Sequence, residues 1–326
     1  MSLLAGFRVE ASDISYLGQD LRRPECVLCL PDGGILASDA RGGVTRIEPD
    51  GAMSRLLVTS EIESLEGSLT NGLAMDAHGN LVIADFGCRK LFLRQPDGQL
   101  EILLAEIDGQ PLGQVNFVLA DNQGRLWLTV STQQSPFLAA FRPDIADGQI
   151  IRLDGGQAEV VADGLAFPNE IRFDAAEKWL YVAETTGRRI RRFPVDADGN
   201  LGSGEIFGPQ KLTPGFPDGI AFDAEANLWV AMVVGDSVLV LDPAGQCRTI
   251  MRDGDPQGWL AAEAAFEQGL LTGELMGNAK GRIAPLTTSV AFGGPDRQTV
   301  FLGSLACNKI ATFRSPVPGM PMAHWS

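Results

Sequence analysis

Six segments of the chain can be laid over one another, and a repeat of that kind restricts the fold more than any other feature of the sequence. Four of them are NGLAMDAHGNLVIAD from Asn71, NFVLADNQGRLWLTV from Asn116, NEIRFDAAEKWLYVAE from Asn169 and DGIAFDAEANLWVAM from Asp218. Each opens on a polar residue, runs through a short apolar stretch to an Asp (Asp76, Asp121, Asp174, Asp223), turns, and enters a second strand. ECVLCLPDGGILASD from Glu25 and SVAFGGPDRQTVFLGS from Ser289 keep the frame without that Asp and carry their own turn signals, PDGG and GGPD. Successive starts lie 46, 45, 53, 49 and 71 residues apart. That period suits a four-stranded unit, because most copies add a third strand such as KLFLRQ or SVLVLD, a PDG or PAG turn, and a fourth such as LEILLAE. Six hairpin-rich units predict an all-β, six-bladed β-propeller of four-stranded antiparallel blades, in which radial repetition leaves only short sheet edges. The whole of residues 1–326 is expected to form one such domain. The last copy ends soon after its third strand, so the early segment GFRVEA is expected to supply the missing fourth and lock the ring.

The interval of 71 marks an insertion at about 254–284. There Trp259, Phe266 and Leu270 recur at roughly helical spacing among good helix formers, which predicts one or two short helices between the fifth and sixth repeats. An insertion at that place either covers a mouth of the central channel or decorates the surface.

Charge and residue counts remove several functions. Lys+Arg 26 against Asp+Glu 41 gives a net charge of −15, which repels a polyanion, so neither nucleic acid nor an anionic membrane surface is an expected partner. No apolar run approaches the roughly 20 residues of a membrane span, and the start MSLLAGFRVEAS lacks the basic and apolar regions of a signal peptide, which predicts a cytoplasmic protein. The five cysteines are odd in number and scattered, and Cys26 and Cys29, three apart on one strand, are expected to point to opposite faces. Only His78 and His324 exist, one in a turn and one near the C-terminus, so a Ser-His-Asp, Cys-His or His-ligated-metal chemistry lacks its residues.

In a propeller the first strand of each blade lines the channel, and residues at one phase of the repeat share one height. Here that ring is Glu25, Asn71, Asn116, Asn169, Asp218 and Ser289. All six offer side-chain oxygen and two are carboxylates, a donor set suited to a hard divalent cation. Asn, Asp and Ser also favour turns for local backbone reasons, but six in phase with two acids among them outweigh that reading. Trp127, Trp179 and Trp229 recur near the second strand and read as core between blades. The run RRIRR at 188–192 reads as a solvated or salt-bridged face, while Glu184 and Asp236 have the positions to reach the channel mouth.

The pieces RPECVLCLPDGGILASD, TNGLAMDAHGNLVIAD, NFVLADNQGRLWLT, FPNEIRFDAAEKWLYVAET, FPDGIAFDAEANLWVA and TTSVAFGGPD together resemble the SMP-30/gluconolactonase/luciferin-regenerating enzyme family over essentially the whole chain. The resemblance implies one divalent cation held by Glu25, Asn169 and Asp218, with Asn116 as a further ligand of metal or substrate and Asn71 lining the cavity. Calcium is the first candidate, with magnesium, manganese, zinc and iron as alternatives. Several sugar-lactone members carry an Arg two residues before the channel Asn and an Asp just after it, where this chain has Gln114 and Phe117. Loss of that guanidinium predicts a less polar ligand, and loss of that Asp leaves Asp218 as the expected base.

The expected activity is divalent-metal-dependent hydrolysis of a lactone, a sugar-acid lactone or related small-molecule cyclic ester. In that scheme the cation polarises the carbonyl and acidifies water, Asp218 accepts the proton, and Asn71, Gln114 and Asn116 contact the substrate. Fold resemblance alone leaves open another metal-dependent reaction at the same place, such as organophosphate or other ester hydrolysis or isomerisation, and a non-catalytic ligand-binding propeller.

Overall fold

The computed structural model describes residues 3–58 and 67–325. Their strands form six four-stranded antiparallel sheets, a six-bladed β-propeller. The innermost strands of blades one to six are Val27–Cys29, Thr70–Met75, Val115–Ala120, Pro168–Phe173, Phe216–Phe222 and Thr287–Gly293. In each of the six sheets the innermost strand is hydrogen-bonded along one edge only. Its other edge is left free of ladder pairing, and neighbouring inner strands approach one another closely around the channel.

The Asp shared by four repeats has a structural task. Asp76, Asp121, Asp174 and Asp223 each end an inner strand and accept backbone N–H groups across the following turn. Examples are Gln123 and Arg125 at 2.9 Å to Asp121, and Glu225 and Asn227 at 2.9 Å to Asp223. Such a side chain replaces the ladder partners that a tight turn cannot supply. In blades three and five the second carboxylate oxygen also accepts the indole N–H of Trp127 and Trp229, each at 2.9 Å. Both indoles are fully buried against neighbouring blades, consistent with core and not with stacking on a ligand.

Ring closure differs from the expectation. The fourth strand of blade six is Ser15–Leu17, paired with Ile310–Thr312, and not residues 6–11. Leu4 and Val9 are buried between blades five and six, with the Val9 N–H donating to Ile250 O at 2.8 Å and Phe7 packed 6.4 Å from the Trp229 ring. The earlier segment carries Leu4, Phe7 and Val9, and burial of these takes it into that seam. The half-exposed Ser-Tyr-Leu segment behind it is left to cover the outer edge.

The insertion forms two helices, α1 (Pro256–Glu267) and α2 (Gly273–Asn278), capped by Asp255 and Thr272. Among the described residues neither is long and apolar enough to cross a membrane. Helix α1 is fastened by the buried Arg188, which pairs with Glu263, and by Phe266, 5.0 Å from Phe216. Arg189 and Arg191 of the same basic run pair with Glu184, which is therefore buried in a salt-bridge cluster and absent from the mouth. Asp236 anchors the return of the insertion: its carboxylate accepts the N–H groups of Gly281, Leu286 and Thr287 at 2.7, 3.0 and 2.9 Å. Asp236→Ala strands three N–H groups and is expected to lower stability by about 3–5 kcal/mol in urea unfolding followed by tryptophan fluorescence. A loss below about 1 kcal/mol would show that water replaces the carboxylate.

Candidate functional site

Five of the six inner strands carry a register shift at the ring residue. The shifts lie between Thr70 and Leu73, Val115 and Phe117, Pro168 and Ile171, Pro217 and Ile220, and Thr287 and Val290. A bulge breaks the strict alternation of a strand and re-aims one side chain, and here it recurs at Asn71, Asn116, Asn169, Asp218 and Ser289. The Gly after two of these residues is dictated by crowding around the channel. A Cβ on Gly72 would lie 2.6 Å from Phe117 Cα, and one on Gly219 would lie 2.4 Å from Thr288 O. The Asn-Gly and Asp-Gly pairs thus place a functional side chain and permit the close approach of the next inner strand.

The ring side chains are tied together. Asn71 Nδ2 lies 3.1 Å from each of Glu25 Oε1, Asn116 O and Asn116 Oδ1, and Asn71 Oδ1 accepts from Arg23 Nη2 at 2.8 Å. Asn71 therefore orients Glu25 and Asn116, with its own oxygen already engaged. Asn169 Oδ1 and Asp218 Oδ1 are buried acceptors without a hydrogen-bond partner among the described residues. Uncompensated buried oxygens are costly, and these two accompany the Glu25 carboxylate on the wall of one cavity. An all-oxygen donor set with two negative charges fits a hard divalent cation. Among the described residues no three His, Cys, Asp or Glu side chains gather as a metal-binding group, so the set relies on amide oxygens as well as acids.

The electrostatics follow from burial. Burial pushes the Glu25 carboxyl up to about 7; the Arg23 guanidinium and the Asn71 amide oppose that rise, and Glu170 adds to it. Asp218 is raised well above the usual carboxylate range, first by burial and then by the negative charges of Glu25 and Glu170. A bound cation reverses both effects.

The cavity has a volume of about 260 Å³. Glu25, Asn71, Asn116, Asn169 and Asp218 all line it, whereas neither Gln114 nor Ser289 is among its described lining residues. Gln114 is buried at the start of its strand, where its backbone pairs with Ser131 and Thr132. Phe117 is also outside the lining, buried beneath the Arg172 guanidinium 4.6 Å from its ring centre.

Sequence reasoning missed three features. Arg23 lines the cavity beside Glu25, and its Nη1 is buried without a partner among the described residues. Glu170, next to Asn169 in the bulge, is buried and accepts from Arg172 Nη2 at 2.8 Å and Ile220 N–H at 3.2 Å. The third is an apolar wall that includes Leu69, Phe86, Phe137, Phe141, Phe167 and Met276. Arg23, Leu69 and Phe167 each stand two residues before a ring position, a signal present in the repeat. Arg23, Phe167 and Leu286 line the cavity from left-handed backbone (φ 51°, 54° and 56°), a conformation that costs a non-Gly residue roughly 1–2 kcal/mol. Helix α2 contributes Gly273 and Met276, so the insertion forms part of the mouth.

The inner strands end at the opposite side of the channel, where the C-terminal segment packs. His324 Nε2 and Trp325 Nε1 reach Cys29 O at 2.8 and 3.2 Å, and Met320 N–H donates to Phe222 O. His324 is thus remote from the ring, and His78 is exposed. Cys26 and Cys29 are free and lie in different core clusters, on opposite faces as their spacing predicts.

A propeller with an oxygen-donor ring at one mouth defines a class of channel-site proteins, and comparison narrows it. The sequence pattern of the SMP-30/Gluconolactonase/LRE-like region matches residues 24–253, and the chain belongs to that family. Among curated relatives, a 6-deoxy-6-sulfogluconolactonase from Pseudomonas putida is 27% identical over 274 residues, 83% of this chain and 78% of that protein. A pentonolactonase from Haloferax volcanii is 28% identical over 57% of this chain and 52% of its own length. The fold is shared with a gluconolactonase from Xanthomonas campestris, at TM-score 0.70 and 22% identity over 96% of this chain and 94% of that one. It is shared too with the calcium-binding protein regucalcin from Agrobacterium tumefaciens, at TM-score 0.67 and 19% identity over 95% and 98%.

Proposed function

We propose that this chain hydrolyses lactones and does so with a divalent cation, calcium first, held by Glu25, Asn169, Asp218 and Asn116. The observation that carries this reading is the pair of buried, unpartnered oxygens on Asn169 and Asp218 in the cavity that Glu25 also lines. The names of the lactonase relatives support the reaction class.

A cation so held supplies Lewis acidity toward the substrate carbonyl and toward water. Asn71 fixes Glu25 and Asn116 by the hydrogen bonds from its amide, so these donors need no reorganisation when substrate arrives. Asp218 takes the proton of the attacking water as its oxygen bonds to the carbonyl carbon. The ring C–O bond then breaks, its oxygen keeps the electron pair and takes the proton held by Asp218, and the new carboxylic acid ionises to leave a hydroxy carboxylate and a released proton. Arg23 keeps a donor available for the oxygen that gains charge, and the apolar wall excludes competing water.

The test follows proton release with a pH indicator from a lactone panel, using metal-stripped protein before and after each divalent cation is restored. Turnover is expected to disappear on stripping and to return with calcium. Full turnover in stripped protein would remove the cation from the mechanism.

A further inference from the structure

The geometry points to a substrate that is a cyclic ester carrying an apolar, aryl-sized substituent, and not a polyhydroxylated sugar lactone. For the reaction this rests on the proposed lactone hydrolysis; for the ligand class it rests on the cavity alone.

The cavity has two chemically distinct parts. Apart from Arg23 and the ring acids and amides, the one polar side chain among its described lining residues is Thr185, and the Thr185 hydroxyl already donates to Pro217 O at 2.8 Å. Both polar atoms of the Asn71 amide are engaged as well. Among the described residues, the lining atoms that are deeply buried without a partner are two acceptors, Asn169 Oδ1 and Asp218 Oδ1, which belong to the cation set, and one donor, Arg23 Nη1. One carbonyl group and its ester oxygen meet those needs. The rest of the lining is apolar, so hydroxyls on the part of a ligand seated against it would face phenyl and alkyl groups with nothing to bond, which is penalised in a buried site.

The apolar part is assembled deliberately from four places. Phe86 comes from the loop of blade two, and Phe137 and Phe141 from a short 3-10 turn and its end in blade three. Phe167 stands before the inner strand of blade four, and Met276 lies on α2. Phe86 and Phe137 meet edge to face at 5.0 Å, as do Phe141 and Phe167 at 4.8 Å. Phe167 keeps its place from left-handed backbone, and strain of that kind persists where the surroundings hold it for a purpose. By proportion to a cavity of about 150 Å³ that accepts benzene, about 260 Å³ admits roughly ten non-hydrogen atoms, the size of a lactone fused to or bearing one aromatic ring.

The experiment pairs a kinetic and a binding arm on calcium-loaded full-length protein. Dihydrocoumarin and γ-phenyl-γ-butyrolactone are compared with D-glucono-δ-lactone by proton release, and the lactam analogues dihydroquinolinone and gluconolactam are compared by calorimetry. The aryl lactones are expected to exceed gluconolactone in kcat/KM by about 10- to 100-fold, the effect of burying one aromatic ring. Phe137→Ser is expected to reduce that ratio by about tenfold, and Phe137→Leu to restore most of it, with thermal melts confirming that both variants fold. If no lactone turns over but the aryl lactam binds and Phe137→Ser weakens it, the hydrolytic reading fails and the ligand class stands. If gluconolactone is turned over as well as or better than the aryl lactones, or if the aryl lactam fails to outbind gluconolactam, the inference is overturned.

Discussion

Asp218→Asn is expected to lower kcat for lactone hydrolysis at least about a hundredfold, the lower end of what a positioned general base contributes. The substitution keeps a side-chain oxygen at the bulge of blade five and preserves shape, so the fold and the Asp-Gly close approach survive. It removes two things together, a negative charge from the donor set and the proton acceptor. Calorimetric titration with calcium separates them. If the variant binds calcium at high concentration yet turns over slowly when saturated, the loss is that of the base. If saturating calcium restores kcat, Asp218 acts as a ligand only, and the base is sought at Glu25 or Glu170, the other buried carboxylates that bear on the same field. Near-normal turnover at ordinary calcium would remove Asp218 from the mechanism altogether.

The blade architecture was legible because its determinants are local. Asp76, Asp121, Asp174 and Asp223 recur in the sequence for the reason they recur in the structure: a turn needs an acceptor for its unpaired N–H groups. The ring phase was legible too, since five of its six residues meet around one cavity. Gln114 was assigned by its place in a motif, and a motif does not show which way a side chain leaves a bulged strand. The apolar wall was hidden for a different reason. Phe137 and Met276 come from connections of unequal length that hold no fixed phase with the repeat, while Phe86 directly follows the second strand of its blade as Thr185 and Leu305 do, a phase at which the residue type is not shared. Ring closure was misplaced by a few residues because either GFRVEA or SYL satisfies strand propensity, and the choice was made by burial against Trp229. The His count was decisive in the other direction, since an exposed His78 and a His324 at the far end leave the ring to oxygen donors.

The cost of gathering carboxylates in a dry cavity predicts how stability responds to pH and cation. Glu25 rises from its ordinary 4.5 to about 7, and Asp218 is raised as well, so in metal-free protein the folded state binds their protons more tightly than the unfolded chain does. The sign follows: this contribution is fully present below pH about 4.5 and is lost as pH rises through about 7, at roughly 1.4 kcal/mol per pH unit per group. Over that window the loss from Glu25 alone is on the order of 3 kcal/mol. A divalent cation takes the ionised form of both acids, and at about a hundred times its dissociation constant it adds roughly 2.7 kcal/mol to the folded state. The gap in Tm between calcium-loaded and metal-free protein is therefore expected to be small at pH 5 and to widen by at least about 5 °C by pH 8. Scanning fluorimetry across that range, with and without calcium, measures it. Glu25→Gln removes one of the two titrating acids and one ligand charge, so its metal-free Tm is expected to fall less with pH and its calcium gap to shrink. A gap that stays constant with pH, or that survives intact in Glu25→Gln, would place the cation away from this ring and leave the unpartnered oxygens of Asn169 and Asp218 to be explained by the substrate itself.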